Sequence, residues 1–274
     1  MFRIHDVSVV NIMIGPQQAS DSGAQRIALV TGAAGGIGHR IVYRLAAQGT
    51  VVVAVDRAAD ASKELRAMPG QVTIVQGDVT DPVDVERIVG DVERDIGPLD
   101  YLVNAAGIMR FGEIVELSED DWEETFSVNT TGVFRVTKAV LTRMISRRRG
   151  AVVTVSSNAA RTPRASMSAY SASKAAATML AKCAALEVAK YGIRCNVVSP
   201  GSTRTEMLQA TWEGEDRTEA TIAGVPEKFR LGIPLGRIAD PDDIVDAVEF
   251  LLSDRARHIT MQELTVDGGA TLGS

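Results

Sequence analysis

A glycine-rich turn between a strand and a helix constrains this chain more than any other feature of its sequence. The apolar run at 26–32 leads directly into TGAAGGIG at 31–38, and a helical pattern follows. Because three of these glycines are spaced GxxxGxG, the backbone can approach a pyrophosphate closely, and the first N–H groups of the helix face the same place. This context predicts a dinucleotide-binding unit; a tight turn that holds no ligand is the alternative.

Short runs rich in valine, isoleucine and leucine alternate with helical patterns along the rest of the chain. Each run is continuously apolar, which is typical of parallel strands that helices cover on both faces. The repeated strand–helix–strand units predict an α/β fold, a single Rossmann-type, doubly wound, parallel seven-stranded sheet with helices on both faces. The predicted strands are 26–32, 51–56, 72–78, 99–107, 151–157, 193–201 and 263–269. The predicted helices are 38–48, 81–95, 118–148, 168–191 and 240–254, the third of them one long helix.

The first 25 residues are predicted to be an appendage. They end in the polar run QQASDSGAQ, so we expect a flexible N-terminal extension over 1–25 and one dinucleotide-binding domain over 26–274. The most apolar stretch near the start, 7–15, covers nine residues, whereas a membrane-spanning helix needs about 20. It lacks a basic segment and a cleavage site, so no signal peptide is expected.

Charge and residue usage argue against several classes of function. The net charge of −6 disfavours binding to nucleic acid or to an anionic membrane. The two cysteines, Cys183 and Cys195, have no CxxC spacing, and none of the three histidines has a second ligand candidate nearby. We therefore expect no disulfide framework, no metal site and a cytoplasmic location.

An acidic residue ends the second predicted strand. A carboxylate at Asp56 can accept hydrogen bonds from the ribose hydroxyls of an adenine dinucleotide and would repel a 2′-phosphate, which favours NAD over NADP. Arg57 follows directly and could instead accept a phosphate. A solvated charge at the end of a strand is the alternative interpretation of Asp56.

Tyr170 and Lys174 lie four residues apart in a predicted helix and therefore on one face of it. A tyrosine with a pKa near 10 is a poor base at neutral pH, but a neighbouring cation favours the phenolate and lowers that pKa. Ser157 ends a predicted strand at the edge of the sheet where ligands bind in open α/β folds. The three side chains predict a site that removes a proton from an alcohol.

Taken together, these motifs resemble the classical short-chain dehydrogenases/reductases. The resemblance is carried by TGAAGGIG, NAAG at 104–107, Asn129, Ser157, YSASK at 170–174 and PGSTRT at 200–205, and it spans about residues 26–274. It implies hydride transfer to or from NAD(P), usually by a homotetramer. Gly35 stands where NADP-preferring relatives often carry a basic residue, and Ala105 stands where the family more often has asparagine.

The resemblance also implies a role for each site residue. Tyr170 would be the acid/base, and Lys174 would lower its pKa and hold the nicotinamide ribose. Ser157 would orient the substrate oxygen, and Asn129 would hold a proton-relay water. The implied cofactor-binding residues are Thr31, Gly32, Gly36, Ile37, Gly38, Asp56, Asp78 by the adenine, Val79, Asn104, Ala105, Gly107, Tyr170, Lys174, Pro200, Gly201 and Thr205 by the carboxamide.

Within the family, the tripeptide TPR at 162–164 and the terminus VDGGATLG at 266–273 resemble the 2,3-dihydro-2,3-dihydroxybenzoate dehydrogenases of catechol-siderophore biosynthesis. This branch implies oxidation of a ring alcohol by NAD, after which the product tautomerises to aromatic 2,3-dihydroxybenzoate. One alternative is the dehydrogenase that makes 3-hydroxyanthranilate from its dihydro precursor. Others are a 3-oxoacyl-type reductase that uses NADPH and an NAD-responsive regulator on the same fold.

A substrate of this kind carries a carboxylate, and arginine is its natural partner. Arg110 and Arg164 are the predicted substrate-binding arginines, and Arg161 is a weaker candidate in the same loop as Arg164. Surface charges on loops are the alternative interpretation. The stretch from Met207 to Arg230 is expected to be either a lid over the substrate or ordinary packing.

Overall fold

A parallel seven-stranded sheet forms the centre of the computed structural model, which describes residues 25–58, 65, 67–212 and 214–273. Its spatial order is β3-β2-β1-β4-β5-β6-β9, and every neighbouring pair is parallel. The predicted doubly wound sheet is confirmed. The strands of this sheet are β1 Ile27–Thr31, β2 Val51–Asp56, β3 Val72–Gln76, β4 Tyr101–Asn104, β5 Gly150–Val155, β6 Ile193–Pro200 and β9 Glu263–Val266. Two further strands, β7 Gly224–Val225 and β8 Arg230–Leu231, form a separate hairpin.

Helices cover both faces of the sheet. One apolar cluster packs the helices α1 and α8 against one face of the sheet, and another packs α2, α4 and α5 against the other face. Leu29 and Val30 of β1 face opposite sides, so both are buried, at 1% and 0% exposed. This explains why the strands are continuously apolar. The helices are α1 Gly36–Ala47, α2 Pro82–Asp95, α3 Glu119–Phe126, α4 Val133–Arg147, α5 Ser168–Val188, α6 Glu206–Gln209, α7 Thr218–Ala223 and α8 Pro241–Leu252.

Side-chain caps fix two helix starts at the positions that the sequence indicates. Asp81 accepts a hydrogen bond from the backbone N–H of Val83 at 2.8 Å, and Pro82 occupies the first turn of α2. Ser118 accepts one from the backbone N–H of Asp121 at 3.0 Å at the start of α3. Each cap satisfies an N–H group that has no partner within its helix.

The predicted helix over 118–148 is wrong in one respect, because it is not a single regular helix. A π-helical segment, Ser127–Gly132, separates α3 from α4. The β7–β8 hairpin and the short helices α6 and α7 were not predicted either. They lie in the segment 206–231, whose elements are too short to show a hydrophobic period.

The predicted extension over 1–25 lies outside the described residues except for Gln25. The strands and helices of the described residues all fall within the domain expected over 26–274. Within the described parts of the chain, no helix combines the length and the apolar character that crossing a membrane requires.

Candidate active site

A cavity of about 560 Å³ opens where the strands end at their carboxyl edge. Residues that follow β1, β3, β4 and β5 line it, together with the last residues of β2 and β6. A volume of this size falls in the usual range for small-molecule sites. Of the predicted site residues, the cavity wall contains Gly32, Gly36, Ile37, Asp56, Asp78, Val79, Ala105, Gly107, Ser157, Arg164, Tyr170, Lys174, Pro200, Gly201 and Thr205.

Five predicted site residues lie outside this wall: Thr31, Gly38, Asn104, Asn129 and Arg110. The first of them supports the wall from behind, since its hydroxyl accepts hydrogen bonds from the N–H groups of residues 105 and 106, both at 3.3 Å. Asn104 is buried and donates to the hydroxyl of Thr137 at 2.9 Å. These two side chains hold the carboxyl ends of β1 and β4 in place.

The glycine-rich turn is built from close backbone contacts. Gly32 has φ +69°, and a Cβ there would lie 2.6 Å from the Cα of Ala106. A Cβ on Gly38 would lie 2.0 Å from the carbonyl oxygen of Gly32. Across the cavity, a Cβ on Gly36 would come within 2.8 Å of the Thr205 side chain. Side chains at these positions would therefore fill the space that the turn leaves open at the start of α1. A dinucleotide-binding turn requires this open space.

Asp56 lies at the same end of the cavity. One of its carboxylate oxygens accepts a hydrogen bond from the N–H of Ala34 in the turn, and the other accepts one from the N–H of Ala58, both at 2.9 Å. Each oxygen keeps a lone pair for a ligand hydroxyl. Arg57 also lines the cavity.

Asp78 and Val79 form the neighbouring part of the wall after β3. Burial raises the pKa of Asp78, but hydrogen bonds from the N–H and the hydroxyl of Thr80 lower it, with help from the charges of Arg57 and Arg135. The net result is a pKa below the ordinary value of an aspartate. The carboxylate is thus ionised and oriented at neutral pH.

Tyr170 and Ser157 meet on the other side of the cavity. Burial raises the pKa of the Tyr170 hydroxyl, and a hydrogen bond with the Ser157 side chain acts in the opposite direction. Ser157 also accepts a hydrogen bond from the N–H of Ala159 at 3.2 Å, which holds its hydroxyl at the end of β5. The pair therefore places two neighbouring hydroxyl groups in the cavity wall.

Lys174 lies on the same face of α5 as Tyr170, as the spacing predicts. Its ammonium is 5.8 Å from the centre of the Tyr170 ring and donates a hydrogen bond to the carbonyl of Val155 at 3.0 Å. Burial lowers the pKa of Lys174 to about 8. The two influences on the Tyr170 pKa are burial and the hydrogen bond with Ser157. The expectation that Lys174 lowers this pKa therefore stays a prediction.

Asn129 lies in the π-helical segment and is completely buried. Its side-chain amide donates to the carbonyl of Ile108 at 2.9 Å and to the hydroxyl of Ser173 at 3.0 Å, while its oxygen accepts from the N–H of Ile108 at 2.9 Å. A Cβ on Gly107 would lie 3.2 Å from the Lys174 ammonium and 3.3 Å from this oxygen. Asn129 therefore joins the loop after β4 to α5.

The two predicted substrate-binding arginines have different surroundings. Arg164 is half-buried in the cavity wall, where burial lowers its pKa and the charge of Asp267 raises it. Arg110 is exposed and makes ion pairs with Glu124 at 2.7 Å and Asp121 at 3.3 Å. It does not line the cavity, because acidic side chains of α3 hold it on the surface.

The weaker candidate, Arg161, is also turned away and lies 3.9 Å from the carboxylate of Glu263. Arg230 of β8, which sequence reasoning missed, lines the cavity together with Arg164. No local motif marks this arginine, because the short hairpin alone brings it to the cavity.

The segment between Met207 and Arg230 forms one side of the cavity. Met207, Leu208, Thr211 and Thr221 line it. Trp212 instead packs with Ile233, Ile238 and Ala270 and is 8% exposed. Parts of the segment therefore line the cavity and other parts pack against the fold, while a lid over the substrate stays a prediction.

The two cysteines lie outside the cavity wall. Burial raises the pKa of Cys195 to about 12, while Cys183 is exposed, and both are free thiols. Among the described residues, no group of three or more His, Cys, Asp or Glu side chains could hold a metal ion.

Comparisons with known proteins agree with this geometry. The chain matches the family model for short chain dehydrogenases over residues 26–216. It is 50% identical over 252 residues to the 2,3-dihydro-2,3-dihydroxybenzoate dehydrogenase of Bacillus subtilis (strain 168), which covers 90% of this chain and 97% of that protein. The 3-oxoacyl-acyl-carrier-protein reductase of Escherichia coli (strain K12) is 34% identical over 247 residues, covering 89% and 96%. A solved short-chain type dehydrogenase/reductase from Mycobacterium ulcerans has a TM-score of 0.81 and 30% identity, with 90% of each chain covered.

The buried ammonium predicts that Lys174→Met stabilises the fold. A pKa lowered from 10.5 to about 8 corresponds to about 3 kcal/mol of destabilisation while the folded state is protonated. Below pH 8 the whole cost applies. As the pH rises from 8 toward 10.5, the folded protein loses this proton before the unfolded chain does, so the wild type gains stability and the advantage of the variant shrinks. Urea unfolding of both proteins between pH 7 and 10 measures this difference.

Lys182→Met provides the matched control on the same helix. The ammonium of Lys182 lies 2.7 Å from the buried carboxylate of Glu263, so its removal takes away the nearer of the two cations beside that carboxylate and lowers stability. If Lys174→Met destabilises the protein at pH 7 as Lys182→Met does, burial of Lys174 carries no net cost and the prediction is wrong.

Proposed function

The chain belongs to the short-chain dehydrogenase family, and on this premise we propose that it oxidises 2,3-dihydro-2,3-dihydroxybenzoate with NAD. As a member of this family it is an oxidoreductase that uses a nicotinamide cofactor and a small-molecule substrate. One observation carries the choice of substrate. The wall with Ser157 and Tyr170 also contains the half-buried Arg164, for which no carboxylate within ion-pair distance occurs among the described residues. A ring alcohol that carries a carboxylate satisfies all three side chains.

The residues of the chain handle the proton of the reaction. Ser157 orients the substrate hydroxyl, and the deprotonated Tyr170 accepts its proton as the carbon–oxygen double bond forms. Lys174 places a positive charge beside the phenolate and holds the nicotinamide ribose. The nicotinamide, when bound, supplies the acceptor for the hydride from the same carbon. Asn129 keeps one lone pair of its side-chain oxygen beyond the bond from Ile108, and we assign that lone pair to the proton-relay water.

We assign the cofactor to the end of the cavity at the glycine-rich turn. The turn and the first N–H groups of α1 would bind the pyrophosphate, and Asp78 would lie by the adenine. Thr205 would contact the carboxamide. The carboxylate of Asp56 would accept hydrogen bonds from the adenosine ribose and repel a 2′-phosphate, which supports NAD.

Aromatisation makes the proposed reaction effectively one-way. Oxidation of one ring alcohol gives an enone, which tautomerises to the aromatic 2,3-dihydroxybenzoate. The relative that is 50% identical bears the name of this activity, which supports the proposal and a place in catechol-siderophore formation. The 3-oxoacyl-type reductase is the weaker alternative, because its relative is 34% identical and because Asp56 disfavours NADPH.

We further infer a homotetramer in the cytoplasm. Phe134 of α4 and Met179 and Leu186 of α5 are large apolar side chains on neighbouring helices, and they are between 46% and 68% exposed. Apolar surface of this kind is typical of a face that another subunit covers. The free, exposed Cys183 is consistent with a reducing compartment.

A substrate panel tests the proposed reaction directly. NADH formation should occur with 2,3-dihydro-2,3-dihydroxybenzoate and be accompanied by the absorption of the catechol product. The corresponding dihydro precursor of 3-hydroxyanthranilate and a 3-oxoacyl thioester with NADPH serve as comparisons. Faster turnover of either comparison substrate would replace the proposed function with that alternative.

The carboxylate of Asp56 predicts a preference for NAD that a single substitution weakens. Asp56→Asn keeps the size of the side chain and removes its charge, so kcat/KM with NADP relative to NAD should rise about tenfold, the effect of one charged interaction. Asp95→Asn, an identical change at the exposed end of α2, should leave the ratio unchanged. Equal use of both cofactors by the wild type would contradict the prediction.

Removal of the Tyr170 hydroxyl should abolish the proton transfer while leaving the cofactor site intact. Tyr170→Phe is expected to lower kcat by about 100- to 10,000-fold, the contribution of a positioned acid/base group, with unchanged NADH binding. Because burial raises the Tyr170 pKa, the reactive phenolate is scarce at neutral pH, and wild-type oxidation should accelerate as the pH rises. Steady-state rates from pH 6 to 9 measure this; a flat profile would argue against Tyr170 as the base.

A further inference from the structure

We propose that Arg230 and Arg164 together form a two-armed binding site for the substrate carboxylate, in which Arg230 determines specificity for acids. This inference rests on the proposed function and deepens it, since it assigns the group that distinguishes the acid from a simple ring diol. It assigns no role to Arg110, which α3 holds on the surface.

The two arginines come from separate parts of the chain. Arg164 lies in the loop that joins β5 to α5, between Ser157 and Tyr170. Arg230 lies in β8, more than sixty residues later. Both line the cavity that contains the two hydroxyl groups, so a ligand positioned for oxidation lies within the same enclosure as both guanidinium groups.

Within the described residues, neither guanidinium has a carboxylate at ion-pair distance. Arg230 donates one hydrogen bond, to the hydroxyl of Ser202 at 2.7 Å, which leaves most of its five N–H groups for a ligand. The acid whose charge acts on Arg164 is Asp267, and its oxygens already accept hydrogen bonds from Asn158, Gly269 and Thr271.

The surroundings of this pair are unfavourable without an anion. Burial lowers the pKa of Arg230, and the positive charge of Arg164 in the same cavity wall lowers it further. Glu206 also lines the cavity, but its charge does not contribute to the pKa shift of either arginine. Half-buried like charges are costly unless an opposite charge lies between them. A bound carboxylate would supply that charge.

A tight hairpin holds Arg230 in place. Val225 pairs with Arg230 across the β7–β8 ladder. A Cβ on Gly224 would lie 2.6 Å from the backbone nitrogen of Gly232, so only glycine allows the two segments of the hairpin to approach this closely. The residue before Arg230, Phe229, has φ +51° and closes the turn. The hairpin therefore fixes the backbone from which the Arg230 side chain extends.

The chemistry of the cavity favours a planar carboxylate as the occupant. A guanidinium fork binds a carboxylate through two parallel hydrogen bonds, and two forks can bind both of its oxygens. The 2′-phosphate of NADP is not a candidate, because the ribose is assigned to the opposite end at Asp56. A ring substituent beside the reacting alcohol is the group that reaches both arginines.

Kinetics with paired substrates test the assignment. Arg164→Met and Arg230→Met should each raise KM for 2,3-dihydro-2,3-dihydroxybenzoate by 10- to 100-fold, the effect expected for a charged hydrogen bond. Oxidation of a cyclohexadiene diol without the carboxylate should change less than threefold. Arg230→Lys keeps the charge but loses the fork, so its KM should lie between those of the wild type and Arg230→Met. Arg161→Met, in the same loop but turned toward Glu263, should behave as the wild type.

Calorimetric binding of benzoate and catechol to the NADH complex separates this proposal from the proposed function. Benzoate should bind the wild type and lose affinity at least tenfold in Arg230→Met, whereas catechol should bind both proteins equally. If benzoate binding depends on Arg230 but no dihydroaromatic acid is oxidised, the carboxylate site stands and the proposed function falls. If Arg230→Met retains full benzoate affinity, or loses activity equally on substrates with and without the carboxylate, the arginine is structural and the proposal is overturned.

Discussion

Parallel strand pairing is the constraint on which the site depends. Because all seven strands of the central sheet run in the same direction, their carboxyl ends meet at one edge of that sheet. Residues distant in sequence, such as Gly32, Asp78, Ser157 and Gly201, then lie around one cavity. Apolar packing on both faces keeps the strands in register, and this leaves the loops at that edge free to carry polar side chains.

Burial gives these polar side chains their chemical properties and also makes them costly. Burial raises the pKa of Tyr170 and lowers the pKa values of Lys174, Arg164 and Arg230. In each case the charged form is disfavoured where it would react or bind. The site is therefore an electrostatically strained part of an otherwise apolar framework, and a cofactor and an anionic substrate are the groups that would relieve the strain.

Sequence alone predicts those features of this protein that depend on local spacing. The glycine-rich turn, the start of the helix predicted over 81–95 and the helical pair of Tyr170 and Lys174 each involve residues within one or two turns of chain, where geometry follows directly from the pattern. The π-helical segment was not predicted, because it depends on the contacts of Asn129 with a loop and with α5. These contacts join residues that are 21 and 44 positions apart.

The arginines show most clearly why the remaining features cannot be predicted in this way. Arg110 and Arg164 both follow strands at the cavity edge and look equivalent in the sequence, yet the acidic start of α3 binds Arg110 on the surface. Arg230 has no motif at all, and a hairpin of two-residue strands brings it to the cavity. The proposed catalytic residues lie just after β5 and on the long helix α5, whereas the proposed carboxylate-binding arginines lie in a loop and in a short hairpin, whose positions depend on tertiary contacts. In such a fold the reaction type can be predicted from spacing, but the residues that select the substrate require the three-dimensional structure.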